Sequence, residues 1–185
     1  MYFDTRPAFL SRGEASMTSA PELLGPRAAQ YEQYRPLLQG KTVLDVGCCD
    51  GRWSAWALDS GAISTHGIDV EPRFIGGGLP LMQEYFPEGG YSFDAVSWQD
   101  ADPVMAYDVV LLFGVLYWQD PYGLLKKAMG WGSTLLIDTP VNITIDGADI
   151  TLPSIATTLE DDGFIVTAMS YPDNPDRFTV LAVRA

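Results

Sequence analysis

Residues 43–58, VLDVGCCDGRWSAWAL, decide the fold. Val43, Leu44 and Val46 form a short apolar run of strand type, Gly47 and Gly51 bracket a tight turn, and Trp53, Trp56 and Ala57 resume at helical spacing. Strand, glycine turn and helix in that order let a nucleotide-like cofactor approach the backbone. A second feature strengthens the reading. Asp69 stands 18 residues after Gly51 and closes a second strand-like run, residues 63–70. That is close to the distance at which dinucleotide-binding folds place the acid for ribose hydroxyls.

Working outward, the spacing of Ala28, Tyr31, Tyr34 and Leu38 predicts a helix over 26–38, ended by Gly40. Residues 71–90 hold Pro72 and three consecutive glycines, so they read as mostly loop with a short helix over 79–86. Residues 91–98 alternate as a third strand. Residues 107–116, YDVVLLFGVL, are almost continuously apolar, as expected of a strand buried on both faces at the sheet centre. Asp120 and Pro121 suit the N-cap and first turn of a helix running to Met129. A fifth strand over 134–138, a loop over 139–152, a helix over 153–160 and two strands over 164–170 and 178–184 follow. The alternation predicts an α/β doubly wound sheet, mostly parallel, with a C-terminal antiparallel hairpin. Residues 1–40 read as an N-terminal lid and helix, and 41–185 as the cofactor-binding unit of a single domain.

At 185 residues the chain is long enough to bury about two-thirds of its unfolded surface in one core. Hydrophobic residues make up 47% and charged residues 19%, the composition of a globular protein, and no apolar stretch approaches the roughly 20 residues a bilayer span needs. The N-terminus lacks a basic start followed by an apolar core, so the expectation is a soluble cytoplasmic protein without a membrane partner. The formal charge of −13 repels phosphate backbones, which disfavours nucleic acid as a partner without excluding it. Cys48 and Cys49 are adjacent, so a bond between them would be strained and would staple no long loop.

In a sheet of this type, ligands bind at the carboxyl ends of the strands. The rule selects Asp45, Gly47, Cys48 and Gly51 after the first strand and Asp69 after the second. After the third come Trp98, Gln99 and Asp100, after the fourth Phe113, Gly114, Tyr117 and Trp118, and after the fifth Asp138. An acidic rim suits a cofactor bearing positive charge better than one bearing phosphates. If a general base is used, Asp138, Tyr117 or an acid of the loop over 139–152 are the candidates. Asp138, Asn142 and Asp146 also permit a hard-cation reading, but oxygen ligands in a loop are too common to carry it, and no metal is expected. His66, the single histidine, has no partner motif and reads as a packed or surface residue.

The segments VLDVGCCDG, GIDV, YDVVLLFGVLYWQDPYGLLKKA and LLIDT resemble those of a class I S-adenosylmethionine-dependent methyltransferase. More narrowly, DVGCCDGRWS and GVLYW are similar to the methyltransferase core of enzymes that modify the wobble uridine of tRNA. Two positions depart from the pattern: Cys49 stands where the superfamily often has glycine, and Trp118 where the narrower group commonly has histidine. The resemblance implies a Rossmann-like fold with S-adenosyl-L-methionine as cofactor. It implies that Asp45, Gly47 and Gly51 hold the amino acid end, Asp69 the ribose and residues 98–100 the adenine. The expected activity is methyl transfer to oxygen or nitrogen of a small or medium-sized acceptor. A tRNA-modifying transferase and a non-catalytic cofactor-binding regulator are the alternatives. A nicotinamide enzyme is a weaker option, because the loop lacks the G-x-G-x-x-G spacing.

Overall fold

The computed structural model describes residues 28–102, 106–118, 120–140, 143–145, 147–171 and 174–185. Five strands, β1 (Thr42–Val46), β2 (Ser64–Asp69), β3 (Tyr91–Ala95), β4 (Tyr107–Phe113) and β5 (Gly132–Pro140), pair in parallel; β8 (Phe164–Tyr171) and β9 (Asn174–Arg184) complete a seven-stranded sheet. Its order is β3-β2-β1-β4-β5-β9-β8, with β9 antiparallel to both neighbours. The doubly wound sheet and terminal hairpin expected from the sequence are present. β4 is the central strand, as its apolar run implied. A separate two-stranded hairpin joins β6 (Ile143–Ile145) and β7 (Ala148–Ile150), where the sequence reading had placed only a loop.

Side-chain alternation along β4 divides the core. Val109, Leu111 and Phe113 face one layer with Tyr31, Leu38, Trp53 and Trp56, contributed by α1 (Ala28–Tyr31), a 3-10 turn (Glu32–Tyr34), α2 (Arg35–Leu38) and α3 (Arg52–Asp59). Val110 and Leu112 face the other, with Leu124, Leu125 and Ala128 of α5 (Pro121–Trp131) and Ile155 and Leu159 of α6 (Leu152–Asp161). Pairing of both β4 edges and burial of both faces leave only Asp108 of this strand in contact with water, which is why the rest of its sequence does not alternate polar with apolar. α5 and α6 start where their sequences provide caps. Asp120 accepts from the Gly123 N–H ahead of Pro121, and Thr151 and Ser154 form a reciprocal capping box.

The main departure from the sequence reading is α4 (Pro72–Tyr85), a 14-residue helix through the glycine-rich segment. Glu71 accepts from the Arg73 N–H and Pro72 fits the first turn, so the start is well signalled. Gly78 serves contact rather than flexibility, whereas Gly76 faces open space. A Cβ at Gly78 would lie 1.9 Å from the Asp50 carbonyl oxygen, so only glycine lets α4 pack directly on the turn after β1. The third strand is shorter than expected and ends at Ala95; residues 96–102 then form a turn instead of continuing it. Residues 1–27, and with them most of the expected lid, lie outside the described residues.

Candidate functional site

The turn after β1 is built by backbone hydrogen bonds that point it at the end of β2. Gly47 N–H and Cys48 N–H both donate to Ile68 O, at 2.8 and 3.1 Å, and Gly51 N–H closes the turn on Cys48 O at 2.8 Å. Gly51 has φ +78°, and a Cβ there would sit 2.8 Å from the Phe93 ring, so both conformation and space call for glycine. Cys49 takes φ +51°, a left-handed conformation that most side chains avoid and glycine adopts freely. Its N–H is held at 2.9 Å by Asp69 Oδ2, while Asp69 Oδ1 accepts Glu71 N–H at 2.9 Å. Asp69 thus binds the β1 turn to the start of α4. An ionised carboxylate accepts about four hydrogen bonds, which leaves lone pairs for a ligand's hydroxyls.

Asp45 lies one layer below, 1% exposed, accepting from Ser54 Oγ at 2.7 Å. Burial, reinforced by the nearby carboxylates of Asp69 and Asp50, raises its pKa to about 7 against the Ser54 hydrogen bonds that lower it. Asp50 is fixed by Arg52, whose Nε and Nη2 reach its two oxygens at 3.0 and 2.8 Å. Burial pushes the Cys49 thiol up to about 12 and the Cys48 thiol higher still, so neither is a nucleophile at neutral pH. Asp45, Gly47, Cys48, Gly51 and Asp69 are therefore brought together, though Cys48 is buried at 1% exposure and contributes its backbone.

Beside β2, the turn over 96–102 carries Trp98, half-buried, with Gln99 and Asp100 exposed. A cavity of about 380 Å³ adjoins it, walled by Leu44, Ile68, Val96 and Ala101 with Asp94 and Asp100 among its polar groups. His66 has the partners its sequence context did not announce: Tyr107 Oη lies 2.6 Å from its Nδ1 and Asp94 Oδ2 3.0 Å from its Nε2.

Two sequence candidates sit differently from expectation. Phe113 does not face the rim; it packs 4.7 Å from the Trp53 ring and 4.9 Å from Tyr31, because its place in the β4 alternation turns it into the α1–α3 layer. Trp53 and Trp56 belong to the same buried aromatic cluster. Asp138 is 1% exposed and both oxygens are engaged: Tyr31 Oη donates to Oδ2 at 2.7 Å, and Arg177 donates through Nε at 2.7 Å and through Nη2 to Oδ1. This is a buried ion pair beneath the rim. Asn142 and Asp146 of the hard-cation reading lie outside the described residues. Among the described residues no group of three metal-binding side chains occurs, and no helix is long and apolar enough to cross a membrane.

Arg177, nearly buried beneath the rim, is a residue that sequence reasoning missed. A Cβ on Gly114 would lie 3.4 Å from the Tyr117 hydroxyl and 3.9 Å from Arg177 Nη2, so a phenol and a guanidinium converge at the end of β4. Tyr117 and Trp118 are both exposed there, with ring centroids 5.5 Å apart.

No protein-family model matches the chain. Over 123 residues it is 31% identical to the tRNA U34 carboxymethyltransferase of Alteromonas mediterranea, covering 62% of this chain and 36% of that protein. Over 107 residues it is 33% identical to the enzyme of the same name from Hahella chejuensis, covering 55% and 33%. The chain thus spans about a third of the length of these curated relatives. Among solved structures it is similar to magnesium protoporphyrin IX methyltransferase from Synechocystis with bound SAM (TM-score 0.70, 18% identity, 100% of this chain and 94% of that one). It is likewise similar to an S-adenosylmethionine-dependent methyltransferase from Mesorhizobium loti (TM-score 0.71, 15% identity, 88% and 100%). The chain has the Rossmann-like fold of the class I S-adenosylmethionine-dependent methyltransferases, and in sequence it is similar to part of the tRNA U34 carboxymethyltransferases, as the motifs DVGCCDG and GVLYW imply.

Proposed function

We propose that this chain binds S-adenosyl-L-methionine at the β1–β2 rim and transfers its activated methyl group to oxygen or nitrogen of a small or medium-sized acceptor. The observation that carries the reading is the Asp69 carboxylate, which holds the Cys49 N–H of the glycine turn at the position where a ribose would be gripped. Asp45 and Asp69 supply negative charge for a donor with an ammonium and a sulfonium group, and the backbone of the turn after β1 faces the donor's amino acid end. The donor brings an already activated methyl group. The protein's work is then to orient an acceptor in line and exclude water, which suffices for large accelerations without a general base. Tyr117, at the end of β4, is the side chain placed to orient that acceptor. Asp138, with both oxygens engaged, serves the rim as an anchor.

A second acceptor, tRNA, is favoured by the names of the curated relatives, and the convergence of Arg177 and Tyr117 gives that reading a chemical basis. A guanidinium and a phenol together hold a carboxylate well, such as the one a carboxymethyl group brings. The net charge of −13 favours the small-acceptor reading. Incubation of bulk tRNA or a panel of phenols and amines with donor labelled in the transferred group, S-adenosylmethionine for methyl and its carboxymethyl-sulfonium counterpart for carboxymethyl, decides between them. Label in the small acceptors supports the first reading, label in tRNA supports the second, and no transfer to either rejects the catalytic assignment.

Asp45 gives the donor site a pH dependence. Its folded-state pKa is about 7 against an ordinary 3.8, so the folded chain holds a proton that the unfolded chain has lost between those values. Asp45 therefore weakens folding stability progressively as pH rises from about 4 to about 7. Donor binding runs the other way, because the cationic donor needs the carboxylate. Affinity for S-adenosylmethionine should fall up to about tenfold per pH unit below 7, with proton release on binding, measured by calorimetry in buffers of different ionisation enthalpy. Asp45→Asn should bind more weakly and without that slope.

A further inference from the structure

The crossover from β3 to β4 has no helix among its described residues, yet its first part is firmly shaped. Inside the turn, Ser97 gathers the chain: its carbonyl accepts Asp100 N–H at 3.0 Å and Ala101 N–H at 2.8 Å, and its hydroxyl accepts Gln99 N–H at 3.2 Å and contacts Gln99 Oε1. Outside the turn, Lys127 reaches across from α5. Its Nζ donates to Trp98 O at 3.0 Å and to Gln99 O at 2.6 Å, with the Trp131 ring centroid 5.5 Å away. A protonated amine that grips two consecutive carbonyls fixes both peptide planes, and so fixes the directions in which the side chains of residues 98–100 leave the backbone. A helix in this crossover would have supplied that rigidity by itself.

We propose that Lys127 is a positioning residue for adenine recognition: from α5, outside the donor site, it sets the turn whose Trp98 and Asp100 meet the purine. The proposal rests on the donor-site reading above and adds to it the element that determines selectivity for the base. Lys127 touches neither donor nor acceptor. It acts by holding Trp98, which is packed against the core on its other side, at one angle to the ligand. Without the two hydrogen bonds the Trp98 and Gln99 peptides are free to rotate, and the preformed surface for the purine is lost.

The test compares a ligand with adenine and one without. Calorimetric titration of the full chain with S-adenosylhomocysteine and S-ribosylhomocysteine is carried out on wild type, K127M and K127R. K127M should weaken S-adenosylhomocysteine by about tenfold or more and leave S-ribosylhomocysteine within about twofold; K127R, which keeps the donors, should recover affinity to within about threefold of wild type. Should K127M not fold, K127Q, uncharged but with one donor group, replaces it with the same expected contrast at smaller size. Unchanged S-adenosylhomocysteine affinity in K127M, or equal weakening of both ligands, overturns the proposal and leaves the donor site standing. A wild-type protein that binds neither ligand overturns the donor site and this proposal together.

Discussion

Asp69→Ala should raise the dissociation constant for S-adenosylhomocysteine by at least about 100-fold, with little change in thermal stability. Two losses add. The first is direct: hydrogen bonds from a ligand's hydroxyls to an ionised carboxylate contribute about 1.5–3 kcal/mol each, and a pair of them exceeds the roughly 3 kcal/mol that 100-fold represents. The second is in the turn itself, because Asp69 holds Cys49 N–H and Glu71 N–H at 2.9 Å each. Cys49 sits in a left-handed conformation at φ +51°, and release of its N–H frees the turn to move away from it. Asp69 is only half-buried, so water can satisfy the two freed amides and the fold survives. Calorimetry with a parallel melting curve separates the effects: lost binding with an unchanged midpoint is expected, and retained binding would mean that Asp69 only braces the turn.

Asp138→Ala should cost about 3–5 kcal/mol of folding stability, because it strands a buried guanidinium. The Arg177 side chain is 12% exposed and is paired through two of its nitrogens with Asp138, which also accepts from Tyr31 Oη at 2.7 Å. Removal of the carboxylate leaves the Arg177 charge uncompensated beside a layer filled by Trp53, Trp56 and Phe113 and takes one hydrogen bond from Tyr31. For a chain of this length, the melting midpoint should fall by about 10 °C. Tyr31→Phe, which removes one neutral hydroxyl from the same network, should cost about 1 kcal/mol. A general base would behave otherwise. If Asp138 carried the proton in catalysis, Asp138→Asn would abolish transfer even at temperatures where the variant is folded and still binds the donor.

The elements that local pattern specifies were legible in the sequence, and those set by distant contacts were not. β1, its glycine turn and α3 follow from residues 43–58 alone, and the apolar run of β4 marks the sheet centre because a strand buried on both faces has nothing polar to show. α4 was hidden by Gly76, Gly77, Gly78 and Pro80, residues that oppose a helix by propensity. Gly78 is there for its contact with the Asp50 backbone, and such a contact has no local signature. The β6–β7 hairpin did have one in sequence: the dipeptide DG at 146–147 stands between ITI and ADI, two short runs that alternate apolar with polar.

The site divides in the same way. Asp45, Gly47, Gly51 and Asp69 were readable because a strand end and a fixed spacing identify them. Arg177 and Tyr31 were not, since they meet Asp138 across 39 and 107 residues, one through β5–β9 pairing and the other through docking of α1 on the sheet. Phe113 was assigned to the rim by its place at a strand end, and strand alternation sent its ring the other way. Lys127 lies in mid-helix beside a second lysine, Lys126, and only the tertiary structure shows which carbonyls it holds.

The central claim, that the rim between β1 and β2 is a site for a S-adenosylmethionine-type donor, is tested most directly by calorimetric titration of the wild-type chain with S-adenosylhomocysteine near pH 8, where Asp45 is ionised. One site per chain, with affinity that Asp69→Ala removes, is the predicted result; no heat of binding at millimolar ligand would contradict the account.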